Sequence, residues 1–79
     1  MPRPLHPTTD SARRLGAHLR RARLERGLRQ EDLARDAGVG TATLRRIERG
    51  DQDNPSVFVV LRLLNRLDLP AATLDRIVG

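Results

Sequence analysis

Arginine is the residue type that gives this chain its main capacity for binding chemistry. The chain has 79 residues, with 15 basic side chains against 10 acidic ones, and all the basic ones are arginines. An arginine presents a planar, permanently charged fork of donors that binds phosphate and guanine edges in a bidentate way. Residues 1–49 have a net charge of +6 (12 Arg, 6 acids), and residues 50–79 have a net charge of −1 (3 Arg, 4 Asp). This asymmetry favours one surface that binds a polyanion and a second surface with another role.

Other reactive side chains give no pattern typical of an enzyme or a metal protein. The absence of cysteine excludes disulfides, thiol nucleophiles and zinc–thiolate sites. His6 and His18 lack metal-ligand spacing, and the neighbouring acids Glu31 and Asp32 fit the first turn of a helix, where its dipole favours them. Phe58 is the only aromatic residue, which argues against stacking on single-stranded nucleic acid. We expect no catalysis, no metal and no cofactor.

The length allows one small domain. Residues 1–10 contain three prolines and no hydrophobic periodicity, which predicts a flexible tail before a folded domain at 11–79. No apolar run reaches the roughly 20 residues of a membrane helix. The N-terminus also lacks the apolar segment of a secretory signal. We therefore expect a cytoplasmic protein with no membrane partner.

Apolar residues recur at helical spacing, with glycines between the segments, and this predicts an all-α fold. The first helix is predicted to begin at Asp10 or Ser11 and to end before Gly27. Four further helices are predicted at 30–37, 41–49, 57–67 and 71–78. The β-branched run at 57–61 could also form a strand, but helical spacing that continues to Leu67 favours a helix.

Residues 30–49 have the sequence pattern of a helix-turn-helix, in which two short helices flank a glycine-containing turn. Gly38 can adopt the left-handed conformation of a sharp turn, Val39 fills the gap between the helices, and Ala34 is small where they cross. Leu33, Leu44 and Ile47 are predicted to form the shared core.

The second of these helices has one apolar arc and one basic arc at roughly 100° per residue. The arc opposite the core residues contains Thr41, Ala42, Arg45, Arg46 and Arg49. An arginine can pair with O6 and N7 of guanine, and the methyl groups of Thr41 and Ala42 can contact thymine methyl groups. We therefore interpret this arc as a surface that binds in the major groove of duplex DNA, and not as one that is only solvated.

The sequence LGAHLRRARLERGLRQEDLARDAGVGTATLRRIERG, followed by NPS and LLNRLDL, resembles the phage-repressor and Cro type of helix-turn-helix domain, the XRE-like family. The resemblance covers residues 15–74, and RQEDLA, the GV turn and RRIERG before NPS are its most specific parts. It implies a five-helix, all-α DNA-binding domain that binds a near-palindromic operator as a homodimer. It also implies a bacterial or phage protein that is associated with the nucleoid when bound to DNA.

The resemblance assigns roles to individual residues. It implies base contacts by Thr41, Ala42 and Arg46, with Arg45 on bases or backbone. It implies phosphate contacts by Arg29, Gln30 and Arg49, and a structural ion pair between Arg23 and Glu48. The sequence departs from the family pattern in two places. Arg29 replaces the usual hydroxyl cap of the second helix, which costs about 1 kcal/mol of helix stability, and a phosphate contact could offset this cost. Asp51 and Asp53 disfavour phosphate contact by the loop after Gly50.

The C-terminal part is more apolar than a core alone requires. Contiguous apolar surface on a small protein often marks a protein contact. We expect such an interface to include Phe58, Leu74, Ile77 and Val78. Other arginines are interpreted as solvated surface, among them Arg13, Arg14, Arg62 and Arg66.

Three functions fit the sequence. The first is a homodimeric, sequence-specific DNA-binding transcription regulator of the repressor type. The second is the antitoxin subunit of a toxin–antitoxin pair, with the same DNA contacts and an additional surface for the toxin. The third is a protein–protein adaptor that has lost DNA binding, and the arginines of the helix at 41–49 argue against it.

Overall fold

The structure, a computed structural model, describes residues 7–51 and 55–78 and contains five α-helices there. The helices are α1 (Pro7–Glu25), α2 (Gln30–Ala37), α3 (Thr41–Arg49), α4 (Val57–Arg66) and α5 (Ala72–Val78). The described residues contain no strand, so the predicted all-α fold is confirmed and residues 57–61 are helical. Helices α2 and α3 have the predicted bounds, and α4 and α5 each differ from theirs by one residue at one end.

Helix α1 begins earlier than the sequence pattern predicts. It starts at Pro7, so residues 7–10 are helical where a tail was expected, and residues 1–6 lie outside the described residues. Proline is tolerated in a first turn because the N–H that it lacks has no acceptor within the helix there. Asp10 also lies in this turn, where the helix dipole favours a carboxylate.

A left-handed glycine forms the turn between α2 and α3. Gly38 has φ 73° and ψ 34°, and the N–H of Val39 donates to the carbonyl of Ala34 at 2.9 Å. A residue with a Cβ is strained in this conformation, so glycine ends α2 and lets α3 begin at Thr41. The arrangement is repeated after α3, where Gly50 has φ 78°. Left-handed glycines therefore end both α2 and α3.

One hydrophobic core joins the five helices. Helix α1 packs against α3 and α5, and α2 packs against α3 and α4. Leu33, Leu44 and Ile47, which were predicted to form the shared core, are buried, and Val39 packs against them. The buried cluster consists of Leu15, Leu19, Ala22, Leu33, Ala34, Ala37, Leu44, Ile47, Val60, Leu63, Leu64, Leu67 and Ile77.

Gly16 lets α1 approach the backbone of α3. A Cβ at this position would overlap the carbonyl oxygen of Ile47 and lie 2.7 Å from that of Glu48. A helix interior normally disfavours glycine, because glycine loses the most conformational freedom on folding. The close crossing of α1 and α3 is the physical reason for a glycine at position 16. Sequence patterning did not single out this residue.

Two arginines that were interpreted as solvated surface connect helices instead. The Nε of Arg66 on α4 lies 2.9 Å from the Oδ2 of Asp36 on α2. The Nε of Arg14 on α1 donates to the carbonyl of Ile77 on α5 at 3.1 Å. Both partners are far away along the chain, so neither contact follows from local sequence spacing.

Candidate nucleic-acid interface

Helix α3 has one face in the core and one in solvent. Its inner face consists of Leu44, Ile47 and Glu48, which are buried. Its outer face is exposed except at Thr41, which is half-buried, and consists of Thr41, Ala42, Arg45, Arg46 and Arg49. The structure therefore places the arginines on the side that the helical periodicity predicts.

A carboxylate neutralises part of the charge of the outer face. The Nε of Arg49 lies 3.0 Å from the Oδ2 of Asp51, and the two side chains are 60% and 57% exposed. Arg45 has no ion-pair partner among residues 7–51 and 55–78. Asp51 follows the glycine that ends α3, as the sequence showed, and Asp53 lies outside the described residues. A phosphate that approaches Arg49 must therefore compete with Asp51.

Arg23 and Glu48, the ion pair that the resemblance implies, join α1 to α3. The Nε of Arg23 donates to Oε2 of Glu48 at 2.7 Å, and its Nη2 donates to Oε1 at 2.9 Å. Its Nη1 donates to the carbonyl of Leu28 at 2.8 Å, in the loop that leads to α2. The side chains are only 9% and 2% exposed. One guanidinium thus positions α1, the α1–α2 loop and α3 relative to each other.

Gln30 connects the start of α2 to the same carboxylate. Its Nε2 donates to Oε1 of Glu48 at 3.1 Å, and the side chain is half-buried. An amide nitrogen carries two hydrogens, so this bond leaves one for another acceptor. Glu48 therefore holds the start of α2 beside α3. Sequence spacing does not reveal this Gln30–Glu48 contact.

Asp32 accepts a hydrogen bond from the backbone of Arg29, whose own side chain has no acceptor. The backbone N–H of Arg29 donates to Oδ2 of Asp32 at 3.2 Å, and its Nε and Nη2 donate to the same carboxylate at 3.1 and 3.2 Å. These bonds with Arg29 lower the pKa of Asp32 to about 2, and the bond and charge of Asp32 raise the pKa of Arg29. The acid three residues after the cap position is one half of a capping box. This bond satisfies the N–H of Arg29, but the side chain of Arg29 forms no cap hydrogen bond with the first turn of α2.

The residues expected at a protein interface have different environments. Phe58 and its neighbour Val57 are 75% and 55% exposed, whereas Leu74 is half-buried against the core. Ile77 is only 7% exposed and belongs to the core. The expectation for Ile77 is therefore corrected, because α5 packs this side chain inward as it docks on α1. The side chain of Val78 lies outside the described residues.

The described residues contain no group of His, Asp or Glu side chains that could hold a metal ion. Among the same residues, no helix is both long and apolar enough to span a membrane.

Comparison with known proteins identifies the class of protein. The helix-turn-helix domain family matches residues 14–77, so the chain belongs to this family. The fold and the exposed outer face of α3 agree with that class, whose members bind DNA in transcription regulation.

One solved structure is similar over nearly the whole chain. It is that of the clp gene regulator ClgR from Corynebacterium glutamicum, with a TM-score of 0.76 and 26% sequence identity. The alignment covers 98% of this chain and 76% of the ClgR chain. No curated protein sequence shows a significant match.

Proposed function

We propose that the chain is a homodimeric transcription repressor that binds a specific duplex DNA sequence with α3 in the major groove. The outer face of α3 carries this proposal, because its three arginines lie on the solvent side of a helix whose inner face is fixed in the core. Helix-turn-helix proteins insert the corresponding face into the major groove. The similarity to a gene regulator supports the regulatory role.

Four residues of the outer face would read bases. Arg45 and Arg46 would each pair with O6 and N7 of a guanine through the guanidinium fork. Thr41 and Ala42, at the start of α3, would contact thymine methyl groups, because their short side chains let the helix lie close to the base edges. This division predicts a binding site that contains both G·C and A·T positions.

Three residues at the rim would bind the DNA backbone. Arg29 is 73% exposed at the start of α2, where the helix dipole also favours an anion. Gln30 has a second amide hydrogen for a phosphate beyond the one that Glu48 accepts. Arg49 would give up its ion pair with Asp51 and bind a phosphate instead. These contacts would fix the register of α3 in the groove without reading sequence.

Two copies of the chain would bind a near-palindromic operator. Their recognition helices would then lie about 34–36 Å apart, in successive major grooves. The exposure of Phe58 and Val57 supports a protein contact at the start of α4, since large apolar side chains are seldom left in solvent together. The exposed part of Leu74 would add to this protein contact.

Selection from a random pool of duplex DNA at near-physiological salt tests the main proposal. We expect enrichment of a motif with two inverted half-sites whose centres are 10–10.5 base pairs apart, or a multiple of that spacing. The matched control is Arg62→Ala, which removes an exposed arginine from α4. It should enrich the same motif as the wild type. Failure of the wild type to enrich any motif would contradict the proposal and favour the adaptor.

An antitoxin subunit is the second candidate, and the exposed Phe58 favours it as well, because a toxin could cover this side chain in place of a second copy. Analytical ultracentrifugation at micromolar concentration distinguishes the two functions. A wild-type dimer that becomes monomeric in Phe58→Ser supports the homodimeric regulator. A wild-type monomer that forms a stable complex with the product of the neighbouring gene supports the antitoxin.

A further inference from the structure

Arg13 of α1 lies beside the glycine that ends α3. A Cβ at Gly50 would lie 3.0 Å from the Cγ and 3.1 Å from the Cα of Arg13, so the backbone of Gly50 packs directly on this part of α1. Gly16 lies in the same way against the backbone of Ile47 and Glu48. Residues three apart are neighbours on a helix surface. One strip of α1 therefore crosses the C-terminal end of α3, and Arg13 lies at the end of that strip.

Arg13 also lacks a counter-charge at this end of α3. It is exposed, and its guanidinium forms no hydrogen bond or ion pair with any residue among 7–51 and 55–78. The adjacent Arg49 is paired with Asp51 and adds no net charge together with it. Arg13 therefore supplies positive charge here that can bind an anion without first giving up a protein partner.

The proposed position of α3 brings the DNA backbone to this end of the helix. A recognition helix contacts base edges through its N-terminal residues, which here include Thr41 and Ala42. Helix α3 has nine residues and is about 13 Å long at 1.5 Å per residue, which matches the roughly 12 Å width of the major groove. Its C-terminal end and Gly50 therefore lie at the edge of the groove, which is lined by phosphates.

The side chain of Arg13 has the form that a phosphate contact requires. Its Cα and Cγ lie against Gly50, and the residue as a whole is exposed. An arginine commonly packs its aliphatic stem on the protein and keeps its charged head in water. The planar fork of the guanidinium binds two oxygens of one phosphate in a bidentate way.

We propose that Arg13 is a further DNA contact, which binds a backbone phosphate from α1 at the C-terminal edge of α3. This contact rests on the DNA-binding function proposed above. It adds α1 to the helices that hold the DNA backbone, beside Arg29 and Gln30 of the α2 region and Arg49 of α3. Because α1 crosses α3 closely at Gly16, a phosphate on Arg13 helps to hold α3 in the groove without reading sequence.

Fluorescence anisotropy with the operator selected by the wild type, at about 50 to 200 mM salt, tests this contact. Arg13→Ala should lower the slope of the salt dependence by about one unit, so that its deficit in affinity shrinks about three- to fourfold over this range. It should weaken binding to the operator and to an unrelated duplex alike, because phosphate contacts carry no sequence information. Arg13→Lys, which keeps the charge, should keep the wild-type slope. The control Arg62→Ala, which removes an exposed arginine of α4, should also keep it.

Ethylation of the DNA phosphates locates the contact. In each half-site, at least one phosphate should block binding of the wild type when it is ethylated. The same ethylation should have no effect on Arg13→Ala, which has already lost the contact. Identical interference patterns for the two proteins would overturn the assignment of Arg13.

The outcomes separate this contact from the DNA-binding function itself. A wild type that binds its operator, with an unchanged slope in Arg13→Ala, would overturn the contact and leave the function intact. A lower melting temperature of Arg13→Ala with that unchanged slope would assign Arg13 to the stabilisation of the C-terminal end of α3, where the helix dipole favours a cation. A changed base preference in Arg13→Ala would also contradict a phosphate contact. If the wild type binds no duplex DNA, both the contact and the function are wrong.

Discussion

The two faces of α3 use charge in opposite ways. On the inner face, Glu48 is buried and accepts hydrogen bonds from Arg23 and Gln30, which holds three segments together. On the outer face, Arg45 and Arg49 are exposed, and the one carboxylate paired with Arg49 is itself in solvent. A buried charge must keep its partner, whereas an exposed charge can exchange water or a surface acid for a ligand. The inner face therefore affects stability, and the outer face is available for binding.

The largest effect is expected from Glu48→Ala. It leaves the guanidinium of Arg23 buried without its carboxylate, which should lower the free energy of unfolding by about 3–5 kcal/mol. Urea unfolding measures the loss, and Glu48→Gln, which keeps an acceptor, should lose less. The double variant Arg23→Met/Glu48→Leu should recover most of the stability, because an apolar pair has no unpaired charge. A loss below about 1 kcal/mol in Glu48→Ala is the range of an exposed pair and would break the distinction between the faces.

Gly16→Ala should show how tightly the inner face is packed. The added methyl group meets the backbone carbonyls of Ile47 and Glu48, and backbone cannot move aside as a flexible side chain can. We expect a loss of about 1–3 kcal/mol in the free energy of unfolding, although alanine is the better helix former. Ala17→Gly, at an exposed position one residue along, is the control for helix propensity. A Gly16→Ala protein as stable as the wild type would mean that α1 and α3 do not cross so closely.

Arg46→Ala tests the outer face of α3 through its effect on DNA binding. It should weaken binding to the selected operator by about 1–3 kcal/mol and relax the preference at one base position. Arg46→Lys keeps the charge without the fork and should relax the same position. Arg45→Ala, from the same face, should change the free energy of unfolding by no more than about 0.5 kcal/mol. Equal weakening on every DNA sequence would remove Arg46 from base reading.

Asp51→Asn should release Arg49 from its acidic partner. We expect somewhat tighter DNA binding with little change in the slope of the salt dependence, since Arg49 neutralises the same phosphate but no longer gives up an acidic partner to do so. Arg49→Ala should lower the slope by about one unit and remove the effect of Asp51→Asn in the double variant. Fluorescence anisotropy at several salt concentrations measures these slopes. An unchanged slope in Arg49→Ala would show that Arg49 does not contact the backbone.

The smallest effect is expected at Asp32, in its exposed contact with Arg29. Its pKa falls from 3.8 to about 2 in the folded chain, so its contribution is complete above about pH 4 and is lost as the pH falls towards 2. Asp32→Asn should remove this part of the acid dependence and leave the rest. Melting temperatures between pH 2 and 5 measure it. Parallel pH profiles of Asp32→Asn and the wild type would show that the bonds to Arg29 do not persist in solution.

Local patterns in the sequence predicted much of this molecule. The bounds of α2 and α3 follow from glycines that stop each helix, and the two faces of α3 follow from its periodicity. The bond from the backbone N–H of Arg29 to Asp32 had a visible signal as well, an acid three residues after the cap position. The pattern failed at Pro7, because three prolines in ten residues suggested a tail although one of them opens a helix.

Such local patterns do not reveal contacts between residues that lie far apart in the sequence. Gly16 looked unremarkable because its role depends on how α1 crosses α3. Arg14 and Arg66 looked solvated because their partners lie on other helices. Ile77 looked available to a partner because nothing local shows that α5 turns it inward.

The sequence by itself determined the bounds of α2 and α3, the turn between them and the basic arc of α3. These depend on backbone preferences and on a period of 3.6 residues, which act over a few neighbours. Tertiary structure alone decided which arginines connect one helix to another, as Arg14 and Arg66 do. Burial and pairing are set by segments far apart in the chain, and burial determines whether a charge stabilises the fold or remains available for a ligand.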